Sequence, residues 1–148
     1  MPDPIYLDDL SVGQTFVSAT HALDAVQIKR FAAAFDPQYF HTDEEAARDS
    51  FFGGLAASGW HVASLTMRLL VDTFKPADGM IGAGVEVTWP RPTRPGDILQ
   101  VFTEITEIRP SRSKRDRGMV TLRNETRNQN GEVLQVLVSK QLVFRKPE

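Results

Sequence analysis

Two side chains capable of acid–base chemistry stand five positions apart in the segment FDPQYFHTD: Asp36 and His41. A carboxylate and an imidazole that reach the same water can share the transfer of its protons. Asp36 ends a helical pattern and precedes Pro37, so its side chain is presented where the chain turns. His41 follows Gln38, Tyr39 and Phe40, a half-apolar setting. The spacing also admits a plainer reading, a helix-ending aspartate and a surface histidine, because such pairs arise by chance. The elements that position the pair have to decide between the two.

The stretch from about Asp24 to Asp72 reads mainly as helix. Asp24 is an N-cap for a helix carrying Val26, Ile28, Phe31, Ala32 and Phe35, which Pro37 stops. A second short helix is expected around Asp43 to Arg48, rich in Glu and Ala. The glycine-bearing loop FFGGLAASG then leads into WHVASLTMRLLVDTF. There Val62, Ala63, Leu65, Met67, Leu69, Leu70 and Val71 surround nearly the whole circumference of a helix. A helix apolar on most sides is usually buried on most sides, so this one is expected at the centre of the molecule.

From about Ile81 the pattern alternates. IGAGVEVTW, DILQVFTEITEI after the turn at Pro95-Gly96, GMVTLRNETRN and VLQVLVSKQLVF read as strands, and a short early strand around Thr15 to Thr20 makes five. In the last strand Leu134, Val136, Val138, Leu142 and Phe144 share one face, with Lys140 interrupting the series. Asn130-Gly131 is a two-residue hairpin signal that pairs it with the strand before. One sheet and one apolar helix imply the α+β class, with a curved antiparallel sheet wrapped around the helix. Strand order stays open. No repeat, low-complexity tract or linker divides the chain, so a single domain over residues 1–148 is expected.

Composition removes several functions. The 148 residues are 41% hydrophobic and 24% charged, the mix of a folded globular chain. A formal charge of −2 provides no overall field for nucleic acid or an anionic membrane. The absence of cysteine excludes disulfides, a thiol nucleophile and thiolate metal sites. MPDPIYLDDL lacks the charged start and apolar run of a signal peptide, and no stretch is long and apolar enough to span a membrane, so a cytoplasmic location is expected. His21, Asp43 and Asp49 form no metal-ligand pattern, and no glycine-rich loop precedes a P-loop lysine. Neither a metal nor a cofactor is expected. Ser58 and Ser64 lack the G-x-S-x-G setting of a hydroxyl nucleophile.

The run FAAAFDPQYFHTDEEAARDSFFGGLAASGWH resembles the MaoC-like dehydratases and R-specific enoyl-CoA hydratases. Their signature is an Asp, then Asn-Pro, then His, then Asp, followed by a glycine-rich loop that enters the central helix. RPTRPGD before a strand extends the likeness over nearly the whole chain. The resemblance implies a hot-dog fold, in which a sheet wraps a long helix and two such folds associate side by side. It also implies that Asp36 and His41 are the catalytic pair. Gly59 would be the glycine whose backbone N–H polarises a thioester carbonyl, a role suited to the free N–H groups and partial positive charge of a helix start. Gly53 and Gly54 are expected only to permit a tight turn.

The chain departs from the signature at Gln38-Tyr39, which replaces Asn-Pro. Gln38 can still donate and accept hydrogen bonds, and it either meets substrate or braces the loop. Tyr39 either narrows the acyl site or simply packs. Trp60 and His61 open the central helix as further substrate-binding candidates, although a histidine in so apolar a segment is more often a core residue. Arg109, Arg112, Lys114, Arg115 and Arg117 form a basic turn that could meet the phosphates of coenzyme A or an acidic carrier protein, with a solvated turn as the plainer reading. Arg91 and Arg94 are expected to be partly structural.

The resemblance therefore implies a hydratase or dehydratase that interconverts a 2-enoyl thioester and a (3R)-3-hydroxyacyl thioester, carried on coenzyme A or on an acyl-carrier protein. Two alternatives stay beside it: a hot-dog thioesterase, and a non-catalytic acyl-CoA-binding subunit. A homodimer is expected from the sheet edge such a fold leaves exposed.

Overall fold

Side-chain alternation in the second half of the chain builds one antiparallel sheet. The structure, a computed structural model, describes residues 3–148; Met1 and Pro2, the start of the N-terminal segment read above, lie outside it. After a single 3-10 turn at Leu7–Asp9 the chain forms β1 (Thr15–Ala22) and α1 (Ala25–Phe35). Two one-turn helices follow, α2 (Tyr39–Thr42) and α3 (Glu44–Ala47), and then the long α4 (Gly59–Val71). The strands β2 (Ile81–Thr88), β3 (Ile98–Pro110), β4 (Arg117–Arg127) and β5 (Val133–Phe144) complete the chain. The five strands lie in the order β1-β3-β4-β5-β2, all antiparallel. The curved sheet packs its inner face on α4.

Local chemistry sets the helix boundaries. The Asp24 carboxylate accepts the Gln27 N–H at 2.9 Å and caps α1, and Pro37 prevents its continuation. Asp43 caps α3 through the N–H groups of Glu45 and Ala46. The turn α2 was not expected; it carries His41 on a helical turn rather than on a loop. The hairpin at Asn130-Gly131 forms, but its loop runs over 128–132 instead of two residues. The Asn128 side chain explains the extra length, since its Oδ1 accepts the N–H groups of both Asn130 and Glu132 at 3.0 Å.

Apolar packing divides into two clusters along α4. Val62, Leu23, Ile28, Leu55, Leu99 and Leu134 pack near its start, and Leu70, Phe74, Ile105, Val120, Leu122 and Val143 near its end. Between them runs a buried polar belt. Thr103 donates to Asn124 at 2.7 Å, Gln135 donates to Thr66 at 2.9 Å, and the Thr66 and Thr126 hydroxyls are 2.6 Å apart. Pairing removes most of the cost of burying these groups. The belt also explains a surprise in β5. Beyond Leu134 its buried residues are Gln135, Ser139, Gln141 and Val143, while the apolar series Val136, Val138, Leu142 and Phe144 lies half-buried on the other face.

Burial of α4, expected on most sides, stops at one stripe. His61, Val62, Thr66, Leu69 and Leu70 are buried, yet Trp60, Met67 and Val71 are exposed along one stripe. Beside them lies the edge strand β2, which exposes Ile81 and Val85. The apolar side chains of Trp60, Met67 and Val71 thus lie on a face that the described residues leave uncovered.

Phe74 is fully buried and meets Phe16 edge-on at 5.3 Å between ring centres. Phe74→Ala is expected to cost about 3–5 kcal/mol through lost burial and a residual cavity, read as a lower midpoint in urea unfolding.

Candidate active site

The segment Leu55–Ser58 is where the site is assembled. All four residues are buried, and small side chains at Ala56, Ala57 and Ser58 let backbone run through the interior. Its polar groups are met on both sides: Ala56 N–H by the Phe40 carbonyl at 3.1 Å, and Ala57 N–H by the Thr93 carbonyl at 2.9 Å. Arg94 donates to the Leu55 carbonyl at 3.3 Å and also to the Phe52 carbonyl, which bears out its structural role. Gly53, at φ 66, and Gly54, against the Arg94 guanidinium, serve the turn that precedes this segment.

His41 is held from the same segment. Its Nδ1 lies 2.6 Å from the Ala56 carbonyl oxygen. A carbonyl only accepts, so Nδ1 carries a hydrogen, and the tautomer with its hydrogen there presents a lone pair at Nε2. That Nε2 lies 3.4 Å from Asp36 Oδ2. Asp36 caps the C-terminus of α1, and both its oxygens are engaged: Gln38 Nε2 donates to Oδ1 at 2.6 Å and Ser58 Oγ to Oδ2 at 2.7 Å. Ser58 precedes α4, but its hydroxyl turns to Asp36 rather than capping the helix.

Burial is the largest single influence on the Asp36 carboxyl and pushes its pKa up. The hydrogen bonds from Ser58 and Gln38, with nearby His41, outweigh it together and hold the group below the usual carboxylate range. An ionised Asp36 and an Nε2 lone pair are both acceptors. A water molecule, with two hydrogens to donate, satisfies the two at once.

A cleft of about 640 Å³ opens on the pair, lined by Asp36, His41, Phe52, Gly59, Trp60 and Trp89 among others. Gly59 brings the first N–H of α4 to this cleft, and that N–H finds no acceptor among the described residues. Of the residues singled out in the sequence, the structure thus brings together Asp36, His41, Gly59 and Trp60. Gln38 braces Asp36 and does not line the cleft. Tyr39 is exposed, leans on Phe40 and also lies outside it.

His61 is a correction. It is buried and stacked on Phe31 at 4.5 Å, outside the cleft lining, because helical spacing points it away from the face that carries Trp60. Burial, with His21 nearby, lowers its pKa to about 4, so its ring is neutral at pH 7. Ser58 and Trp89 went unread in the sequence as site residues. A serine directly before the helix-starting glycine, and a tryptophan directly before the proline-rich turn, were the available signals.

Residues 10–129 match the model of the MaoC like domain. The chain belongs to the MaoC-like family. Its wrapped sheet is the hot-dog fold, and it superposes on the crystal structure of the MaoC-like dehydratase from Rhodospirillum rubrum with a TM-score of 0.95. That pair is 57% identical and covers 97% of this chain and 99% of the other. This MaoC-like protein is 34% identical to the uncharacterized protein YdeM of Bacillus subtilis (strain 168), over 83% of this chain and 87% of that one. It is 27% identical to the 3-hydroxybutyryl-CoA dehydratase of Methylorubrum extorquens, over 74% and 69%.

Ser58→Ala removes a donor while leaving Asp36 buried, so the Asp36 titration midpoint, followed by carbon NMR of its carboxyl, is expected to move up. The sign for stability follows. A lowered folded pKa stabilises the fold above the ordinary carboxylate range, about pH 4, and that contribution is lost as pH falls toward the folded value. The variant is expected to lose part of it.

Proposed function

We propose that this MaoC-like protein adds water to the 2,3-double bond of an enoyl thioester, or removes it from the 3-hydroxyacyl thioester in the reverse direction. The observation that carries the reading is the arrangement of two acceptors, Asp36 Oδ2 and His41 Nε2, 3.4 Å apart on a cleft that also receives the Gly59 N–H. A thioester carbonyl at Gly59 draws negative charge toward the helix start as an enolate forms. Water held by Asp36 and His41 attacks C3, and Nε2 takes one of its protons. Asp36, kept anionic, stabilises the imidazolium that results, and the imidazolium delivers a proton to C2. The atoms of one water are added and nothing is oxidised or reduced.

The relative named a 3-hydroxybutyryl-CoA dehydratase supports this reaction class and coenzyme A as the carrier. The (3R) configuration rests on the family resemblance. Crotonyl-CoA tests the reading directly. Loss of the conjugated absorbance without release of thiol is expected, and thiol release contradicts it in favour of a thioesterase. Asp36→Asn and His41→Ala are each expected to lower kcat by about 10²–10⁴, the range for a positioned acid–base group. Binding of the thioester without either signal would point to a non-catalytic subunit.

A second copy of the chain is proposed to cover the bare stripe of α4 and the open edge of β2. Exposed Trp60, Met67, Val71, Ile81 and Val85 form one apolar surface there, beside unpaired backbone of an edge strand. Light scattering is expected to return twice the mass of the 16.5 kDa chain at micromolar concentration, and Val85→Arg to return the monomer.

A further inference from the structure

Space, and not backbone conformation, demands glycine at position 59. Gly59 is helical and has no positive φ, and a helix accepts alanine more readily than glycine. A Cβ here, however, would fall 2.6 Å from Cε2 and 2.7 Å from Cζ2 of Trp89, the residue directly after β2. The indole thus lies on the very residue that offers the helix-start N–H to the cleft.

That ring is itself held. Its N–H donates to Gln135 Oε1 at 2.9 Å, and Trp60 meets it edge-on at 5.7 Å between ring centres. Gln135, on β5, is fully buried and donates to the Thr66 hydroxyl at 2.9 Å, which lies 2.6 Å from that of Thr126. Swinging the indole away would leave a buried amide oxygen without its donor, so the ring does not yield as a free surface side chain would. Thr66 stands on α4, as Gly59 does. The series Gly59, Trp89, Gln135, Thr66 therefore begins and ends on the same helix and closes a brace between it and the sheet.

We propose that Trp89 is a positioning residue for the hydration reaction: braced through Gln135 to Thr66, its indole fixes where the Gly59 N–H stands in the cleft. The proposal rests on the enoyl-thioester reading above. A donor fixed in advance needs no reorganisation as enolate charge appears, and loosening the indole forfeits that advantage. Asp36 and His41 are held independently, since the bonds from Ser58 and Gln38 to Asp36 and from His41 to Ala56 involve no member of the brace. Weakening the brace therefore acts on the carbonyl end of the reaction and leaves the acid–base pair in place.

The test follows the full chain by kcat and KM for crotonyl-CoA, and by the NMR shift of the Gly59 amide proton when unreactive butyryl-CoA is added. Trp89→Phe removes the indole donor and Gln135→Met its acceptor. In variants shown by circular dichroism to fold, each is expected to lower kcat about tenfold, to hold KM within about twofold, and to shrink the Gly59 amide response. A role confined to shaping the cleft would move KM instead. Gly59→Ala keeps the N–H but strikes the ring. It is expected to lower kcat about a hundredfold alone, yet by less than about threefold once Trp89→Ala has cleared the space. Should the alanine variants fail to fold, Trp89→Phe and Gln135→Met decide by kcat and amide shift. An equal cost of Gly59→Ala in both backgrounds, an unchanged kcat in folded Trp89→Phe and Gln135→Met, or a wild-type Gly59 amide indifferent to the thioester overturns the proposal. A brace-dependent amide response without any turnover upholds the placement of Gly59 by Trp89 and rejects the hydratase reading; turnover indifferent to the brace does the reverse.

Discussion

The hydrogen bond from His41 Nδ1 to the Ala56 carbonyl, at 2.6 Å, is the contact on which the site depends. It sets the tautomer, and with it the direction in which the basic lone pair faces. Everything around it serves to hold Ala56 still. The Phe40 carbonyl takes the Ala56 N–H, Arg94 pins the preceding backbone, and the next residue but one, Ser58, reaches Asp36. A single buried segment thus orients both members of the pair and then begins the helix that offers the Gly59 N–H.

This economy has an electrostatic consequence. A carboxylate buried beside a histidine would ordinarily move toward protonation, and a protonated Asp36 would offer His41 a hydrogen in place of the water's. Ser58 and Gln38 supply the two hydrogen bonds that keep it ionised. Gln38, where the family signature has asparagine, therefore has a role internal to the protein. Where the signature has Asn-Pro, the Gln38 amide reaches Asp36 and α2 forms without the proline.

Much of this was legible in the sequence. Asp24, Pro37 and the alternation after Ile81 are local signals, and the elements they mark all form. What escaped was non-local. Gln135 faces inward on β5 because a polar belt satisfies it, so the apolar side of that strand pointed to the outer surface. The apolar pattern of α4 read as burial on most sides, and did not show that one stripe is bare. His61 looked like a site residue from its neighbour Trp60, but consecutive helix positions face different ways. Ser58 stands beside the helix-starting glycine, but its partner, Asp36, lies 22 positions away, and no local pattern links the two.

The strand order and the place of Trp89 were likewise beyond sequence pattern, since each is set by which edges close on α4. Once β2 lies next to β5, Trp89 comes within reach of Gln135, and the polar belt acquires a link to the cleft at Asp36 and His41. Packing, polar satisfaction and the shape of the site are in this way one arrangement. Nitrogen-15 NMR of His41 at pH 8 tests its central claim most directly. A protonated Nδ1 and an unprotonated Nε2 are predicted, with the assignment lost in His41→Ala; a ring protonated at Nε2 instead would contradict the account.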